Sequence, residues 1–325
     1  MRTAICPAFL ALALTSPAGA MQPNDCVAIG NDVERLRCYD AAHGRGSAGA
    51  PPRAENLAKV PKTDGQSIWE QRILDDANLE TFTLTAYRPS YLLYSRMRTP
   101  NQAPFRTSPA GDRLRNNEIK MHLSVHTKVV NDLMADNGDL WIAYAQTSYW
   151  QAFNDSISNP FRETNHEPEA YLSFLTDYRL PGITLRNVNV GVVHQSNGQS
   201  RPLSRSWNRV FAEFQLVRGQ LGVSARPWIR IPESAGNDDN PDIEDYLGRY
   251  ELRASYEHRR HLFSAMLRNV FDGDKRYNAE LSWSYPIAGR LRAVLQWYSG
   301  YGESLIDYNH KHNRIGIGLL MSDWL

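Results

Sequence analysis

Lys120-Met121-His122-Leu123-Ser124-Val125-His126-Thr127-Lys128-Val129 alternates with a period of two. Met121, Leu123, Val125 and Val129 share one face, and Lys120, His122, Ser124, His126 and Lys128 the other. A two-residue period is that of a β-strand. The pattern recurs from Gly248 to Glu257, where Tyr250, Leu252, Ala254 and Tyr256 oppose Arg249, Glu251, Arg253, Ser255 and Glu257. It recurs again from Tyr277 to Tyr285, where Ala279, Leu281 and Trp283 oppose Asn278, Glu280, Ser282 and Ser284. The polar face carries charges of both signs. Burying such a face between two soluble sheets is costly. The polar lumen of a transmembrane barrel accepts it.

Outward from these segments, twelve strands are predicted: about 82–96, 118–129, 139–149, 168–179, 184–196, 205–217, 220–230, 246–257, 260–268, 276–285, 289–299 and 312–324. The gaps after odd-numbered strands are mostly long and polar. Those after even-numbered strands are mostly tight turns, such as Arg218-Gly219. Outer-membrane barrels have an even number of strands, long extracellular loops and short periplasmic turns. The expected fold is therefore all-β: a twelve-stranded antiparallel transmembrane β-barrel over residues 80–325, with a short N-terminal periplasmic extension over 21–79. A soluble Greek-key protein gives no reason for the odd–even rule.

Composition agrees with this architecture. The chain has 325 residues, 16 Tyr, 8 Trp and a mean hydropathy of −0.50. Aromatics favour strands and membrane interfaces, while alternation keeps the average polar. The formal net charge is +1, and no basic run is interleaved with aromatics, so nucleic acid is not expected as a partner. Residues 1–20 carry the marks of a secretory leader: Arg2, a short apolar stretch from Ala4 to Leu14, and the small residues Ala18-Gly19-Ala20. No later segment is long enough for a transmembrane helix. Gly44 to Ala54 is rich in Gly, Ala and Pro and resembles a linker. Loss of the leader removes Cys6 and leaves Cys26 and Cys38. A disulfide between them is plausible in an exported chain. It needs a bend, for which Gly30-Asn31-Asp32 is suited; two unlinked thiols are the alternative.

The candidate site lies in the fifth and sixth strands. Val188, Val190, Val192, His194 and Ser196 share a face, which must be the lipid side. Asn208 shares a face with Val210, Ala212, Phe214 and Leu216. A hairpin symmetric about residue 201 sets Asn208 opposite His194. Neighbouring strands are about 4.7–4.9 Å apart, so an amide can reach one imidazole nitrogen and Ser196 the other. This is a nucleophile–base–orienter arrangement. Taken alone, His-x-Ser-Asn-Gly also fits a strand end running into an Asn-Gly turn.

The run His194-Gln195-Ser196-Asn197-Gly198, followed by Ser204-Arg205-Ser206-Trp207-Asn208-Arg209, resembles the signature of the outer-membrane phospholipase A family. Asn159 to Asn165, Asp238 to Asp242, and Tyr298 to Asn309 resemble it too, so the likeness covers roughly residues 80–325. It implies a twelve-stranded barrel that hydrolyses phospholipid acyl esters, A1/A2 type, in the Gram-negative outer membrane, with the triad His194, Ser196 and Asn208. It also implies an oxyanion held by the Gly198 N–H and by water on bound Ca2+. The implied calcium ligands are the Ser204 hydroxyl, the carbonyl of Gln199, and Ser158 of the partner subunit in a homodimer. Gln146 matches a polar residue of the family's membrane-embedded dimer contact. This chain departs from the pattern at Gln199, where many members have a basic residue, and in ending Trp324-Leu325 rather than on an aromatic. A non-enzymatic barrel, porin or adhesin, is the alternative function.

Overall fold

The computed structural model describes residues 26–31, 34–35, 38–39, 67–106, 111, 113–134, 137–271 and 276–322. The leader at 1–20, the linker at 44–54 and the terminal Trp324-Leu325 lie outside them. Chain contacts divide the molecule into two units, Met1–Pro52 and Arg53–Leu325. In the first, Cys26 and Cys38 are joined by a disulfide with their Cα atoms 5.5 Å apart. A turn that starts at Cys26, with Ile29 N–H donating to the Cys26 carbonyl, begins to bring the chain round.

The second unit is a closed antiparallel barrel. Its strands are β1 (Ser90–Met97), β2 (Asn117–Val130), β3 (Asp139–Trp150), β4 (Phe161–Leu180), β5 (Ile183–Ser196) and β6 (Ser206–Arg218). They continue with β7 (Leu221–Ile231), β8 (Tyr250–His258), β9 (His261–Arg268), β10 (Asn278–Ala288), β11 (Leu291–Gly300) and β12 (His312–Ser322). Each pairs with its neighbour in sequence. β12 closes the ring on β1, with Arg314 opposite Met97 and Leu319 opposite Leu92. Closure leaves the ring without unpaired edges, the condition for strands to cross a bilayer.

Alternation sorts the side chains as the sequence predicts. Leu123, Ile142, Val190, Val192 and Ile317 are exposed on the outer wall. Lys120, Ser124, His126, Lys128, Arg209, Glu213 and Glu251 are buried in the lumen. Buried charges need partners, and several find them across the ring. Arg88 bonds Glu167 and Glu169, and Arg226 bonds Glu169 from the other side. Lys120 meets Glu280 and Glu303. Glu118 receives Arg162 and Arg314. These cross-braces span the lumen around a cavity of about 120 Å3, and a second cavity of about 370 Å3 lies beside Trp69, His126, Lys128 and Asn189.

The helix α1 (Ile68–Ala77) is absent from the strand prediction, although it starts on an N-cap serine: Ser67 accepts from the Glu70 N–H at 3.0 Å. Its buried face carries Trp69, Ile73 and Leu74. Trp69 lies on Gly222, just past the β6–β7 turn, where a Cβ would approach the indole side chain to 2.6 Å. Arg186 on β5 holds Glu70. α1 is thus docked on the tight-turn end of the barrel, so residues 67–77 belong with the barrel rather than with the extension.

Several boundaries differ from expectation, each for a local reason. The predicted strand at 82–96 is broken. Thr85–Ala86 is an extra two-residue strand on β2, and β1 begins only after Pro89, whose missing N–H cannot extend a ladder. Residues 243–247, partly assigned to a strand, form a short helix, α2 (Ile243–Leu247). Gly248 ends it at φ +69°, where a Cβ would come within 2.9 Å of Asn269 Oδ1. β4 starts at Phe161, well before the predicted residue 168. Its polar stretch suggests a loop, but Glu163 and Asn165 turn inward and accept hydrogen bonds from the backbone N–H groups of Ile306 and Leu305.

Candidate active site

β5 and β6 are paired so that His194 faces Asn208 and Ser196 faces Ser206. All four point to the outer wall, at the end of the strands that carries the longer loops. His194 Nδ1 lies 2.8 Å from Asn208 Oδ1. An amide oxygen only accepts, so Nδ1 carries the proton and Nε2 is left as the basic nitrogen. Ser196 stands two residues along the same face. Among the described residues no hydrogen bond joins its hydroxyl to His194. Nucleophile–base bonds are often loose before substrate arrives.

The loop 197–205 is shaped by one buried amide. Asn197 Oδ1 accepts from the backbone N–H of Gln199 at 3.3 Å and of Arg205 at 3.0 Å. Its Nδ2 donates to the Leu203 carbonyl at 2.8 Å and to Glu163 at 3.4 Å. Gly198 follows at φ +63°, a conformation that glycine adopts at no steric cost. Its N–H accordingly lies in the bend directly after the Ser196 strand. Asn197→Ala is expected to leave a folded barrel but to lower turnover about 10- to 100-fold by releasing Gly198. Stability should fall by about 1–3 kcal/mol, the usual cost of orphaned buried groups. Fatty-acid release and the denaturant midpoint of the same preparation check both.

The predicted calcium residues occupy two loops. Ser204 Oγ donates to Asp239 at 2.5 Å, and Arg201 Nε bonds the other Asp239 oxygen at 2.7 Å. The Ser204 hydrogen bond, with the Arg201 guanidinium behind it, holds the Asp239 carboxyl below the usual carboxylate range. Gln199 is exposed. Ser158 is also exposed, at φ +63° after a one-turn 3-10 helix, Asp155–Ile157. Among the described residues no three His, Cys, Asp or Glu side chains gather into a metal cluster. The donors at hand are a hydroxyl, main-chain carbonyls and one ionised carboxylate. That all-oxygen set suits a hard divalent cation.

Gln146 is half-buried on the outer face, as its parity predicts. Its amide is partly satisfied within the chain, by Tyr144 OH at 2.9 Å and Ser148 Oγ at 3.1 Å. Strand pattern alone misses what lies beside it. His166 on β4 sits directly opposite Ser196. Tyr144 OH gives its one proton to Gln146, so it receives one from His166 Nδ1, 2.7 Å away. His166 Nε2 then lies 3.9 Å from where a Cβ on Gly198 would stand. The outer wall therefore carries a polar row from Gln146 to Asn208 within an otherwise apolar band. The polar motif at 238–242 braces it: Asn240 accepts from the Ser206 N–H at 3.0 Å, and Asp242 accepts from Tyr308 OH at 2.6 Å.

The family model of phospholipase A1 matches residues 66–321. The phospholipase A1 of Klebsiella pneumoniae is 41% identical over 243 residues, covering 74% of this chain and 83% of that protein. A crystal structure of the Salmonella typhi outer membrane phospholipase dimer with bound calcium superposes at a TM-score of 0.72 and 39% identity, over 76% of this chain and 94% of that one. The outer membrane phospholipase A of Escherichia coli superposes at 0.72 and 39%, over 75% and 100%. On its sequence, its twelve-stranded barrel and these likenesses, the chain belongs to the phospholipase A1 family, ester hydrolases of the Gram-negative outer membrane.

Proposed function

We propose that this barrel hydrolyses the acyl esters of phospholipids and lysophospholipids, at either acyl position, with Ser196 as nucleophile, His194 as base and Asn208 as orienter. The observation that carries this reading is the 2.8 Å contact between His194 and Asn208 on the lipid-facing wall, with Ser196 on the same face. The site stands at the loop end of its strands, on the outer wall. An outer-leaflet ester can reach it without leaving the membrane.

His194 Nε2 takes the Ser196 hydroxyl proton as Oγ attacks the acyl carbonyl. The negative charge that develops on the carbonyl oxygen is met by the Gly198 N–H. The protonated imidazole then gives its proton to the departing glycerol oxygen, and the lysophospholipid leaves. Water, deprotonated by the same imidazole, releases the fatty acid from Ser196. Asn208 keeps the ring in one tautomer throughout. The Ser204 hydroxyl and Gln199 carbonyl, with Ser158 of the partner subunit, would hold Ca2+. Bound there, the ion supplies positive charge beside the oxyanion. A homodimer completes that ligand set, and Gln146, with unused amide capacity on the outer face, fits the contact between the subunits.

The cross-braced lumen argues against a porin, because ion pairs such as Arg88–Glu169 and Arg162–Glu118 span it. The decisive experiment is fatty-acid release from phospholipid micelles by refolded protein, with calcium and with excess chelator. Release should fall at least about a hundredfold in chelator, the scale of losing one oxyanion stabiliser, and return when calcium is added back. Release unchanged in chelator would remove the metal and keep the hydrolase.

A further inference from the structure

The orienter of this site is a neutral amide. It can fix the imidazole tautomer, but it brings no charge to the imidazolium that forms when His194 takes the serine proton. The structure places a carboxylate directly behind it. Asn208 Nδ2 lies 3.3 Å from Glu233 Oε1. β7 delivers that carboxylate: Asn208 pairs with Ile231, the last residue of the strand. Ile231 is exposed on the outer wall, and Glu233 follows two residues later, past Pro232. Glu233 is half-buried. The nearest cation on its own segment is committed elsewhere, since Arg230 bonds Asp238 at 2.7 Å and carbonyls of Asn240 and Pro241. The other ionisable groups on this face are His194 on β5, His166 on β4 and Tyr144 on β3.

We propose that Glu233 is a positioning residue of the catalytic array, acting on His194 through the Asn208 amide. The inference rests on the triad reading above. The two hydrogen bonds run in series: imidazole N–H to amide oxygen, amide N–H to carboxylate. The carboxylate decides which way the amide faces, because only Nδ2 can donate to it, and this leaves Oδ1 for His194. It also polarises the conjugated amide, drawing proton character toward Glu233 and leaving more negative charge on Oδ1. The charge that an aspartate orienter would carry at position 208 is thereby supplied from one residue further back.

The test is a double-mutant cycle read as kcat and KM on phospholipid micelles with calcium. Each protein is first shown to be folded by its thermal unfolding in detergent. Glu233→Gln keeps an acceptor but loses the charge, and kcat should fall about tenfold with KM unchanged. Asn208→Asp alone sets two carboxylates against each other, and its kcat should fall further. The combination N208D/E233Q should recover to within a few-fold of wild type. In it the charge has moved onto the orienter itself, and the amide that replaces the Glu233 carboxylate donates to that charge. Sign-reversing rescue of this kind is not expected of a residue that only packs. Multiplying losses in the double variant, or wild-type kcat for E233Q, would overturn the proposal. Ser196→Ala in the same assay separates the two readings. Activity in that variant removes the triad itself, whereas an inactive S196A beside multiplying losses removes Glu233 alone.

Discussion

Ser196→Ala is expected to abolish fatty-acid release, with kcat down by at least about three orders of magnitude, while the barrel folds as before. The chemical loss follows from the absence of an alternative: no other described group on the His194 side of the β5 end can form the acyl intermediate from the same position. Ser206, its cross-strand partner, is a hydroxyl on the same face, but it stands beyond Asn208 on the neighbouring strand rather than two residues from the base. The structural indifference follows from location. Ser196 is half-buried at the last position of its strand, and its hydroxyl holds nothing else among the described residues. Changes at such sites usually move stability by less than about 0.5 kcal/mol. Micellar fatty-acid release, paired with thermal unfolding in the same detergent, gives both results. Wild-type turnover by the variant would remove the triad.

Glu118→Ala should have the opposite signature, a large loss of stability arising far from the ester. Glu118 is fully buried in the lumen. It accepts from Arg162 Nε and Nη2, both at 3.1 Å, from Arg314 Nη2 at 2.7 Å and from Gln151 Nε2 at 3.0 Å. Alanine leaves two buried guanidinium groups with one carboxylate partner fewer each. Arg162 retains Asp307 and Arg314 retains Glu303, so the network is weakened rather than emptied. Truncating one member of a buried pair typically costs about 3–5 kcal/mol. The denaturant midpoint should shift by that amount at unchanged slope. Glu118→Gln, which keeps the shape and loses the charge, should fall between the two. A midpoint within error of wild type for both variants would show that the lumenal charges are solvated by water rather than by one another.

The two variants mark different kinds of legibility. The face that carries the proposed triad was open to the sequence because a strand has period two and a hairpin has a centre. Those two facts set His194, Ser196 and Asn208 on one side and fixed His194 opposite Asn208. The partners of Glu118 were not. Arg162 lies 44 residues away and Arg314 196 residues away, and alternation says that each points inward without saying whom it meets. The same limit hid His166, which faces Ser196 only through the register of β4 on β5. It also hid the first turns of β4, whose inward polar groups resemble a loop until the 301–311 segment folds over them. Helix α1 went unread despite its Ser67-x-x-Glu70 start, and what it covers depends on the tertiary structure.

The sequence by itself therefore determined which faces meet lipid, which meet the lumen, how many strands cross and where His194, Ser196 and Asn208 stand along one hairpin. Those are consequences of local backbone geometry, repeated every two residues. Only the tertiary structure decided which charges neutralise one another, what closes the tight-turn end and which carboxylate stands behind Asn208. Those depend on how the ring closes and how its loops fold back, and closure joins β12 to β1 across nearly the whole length of the barrel chain.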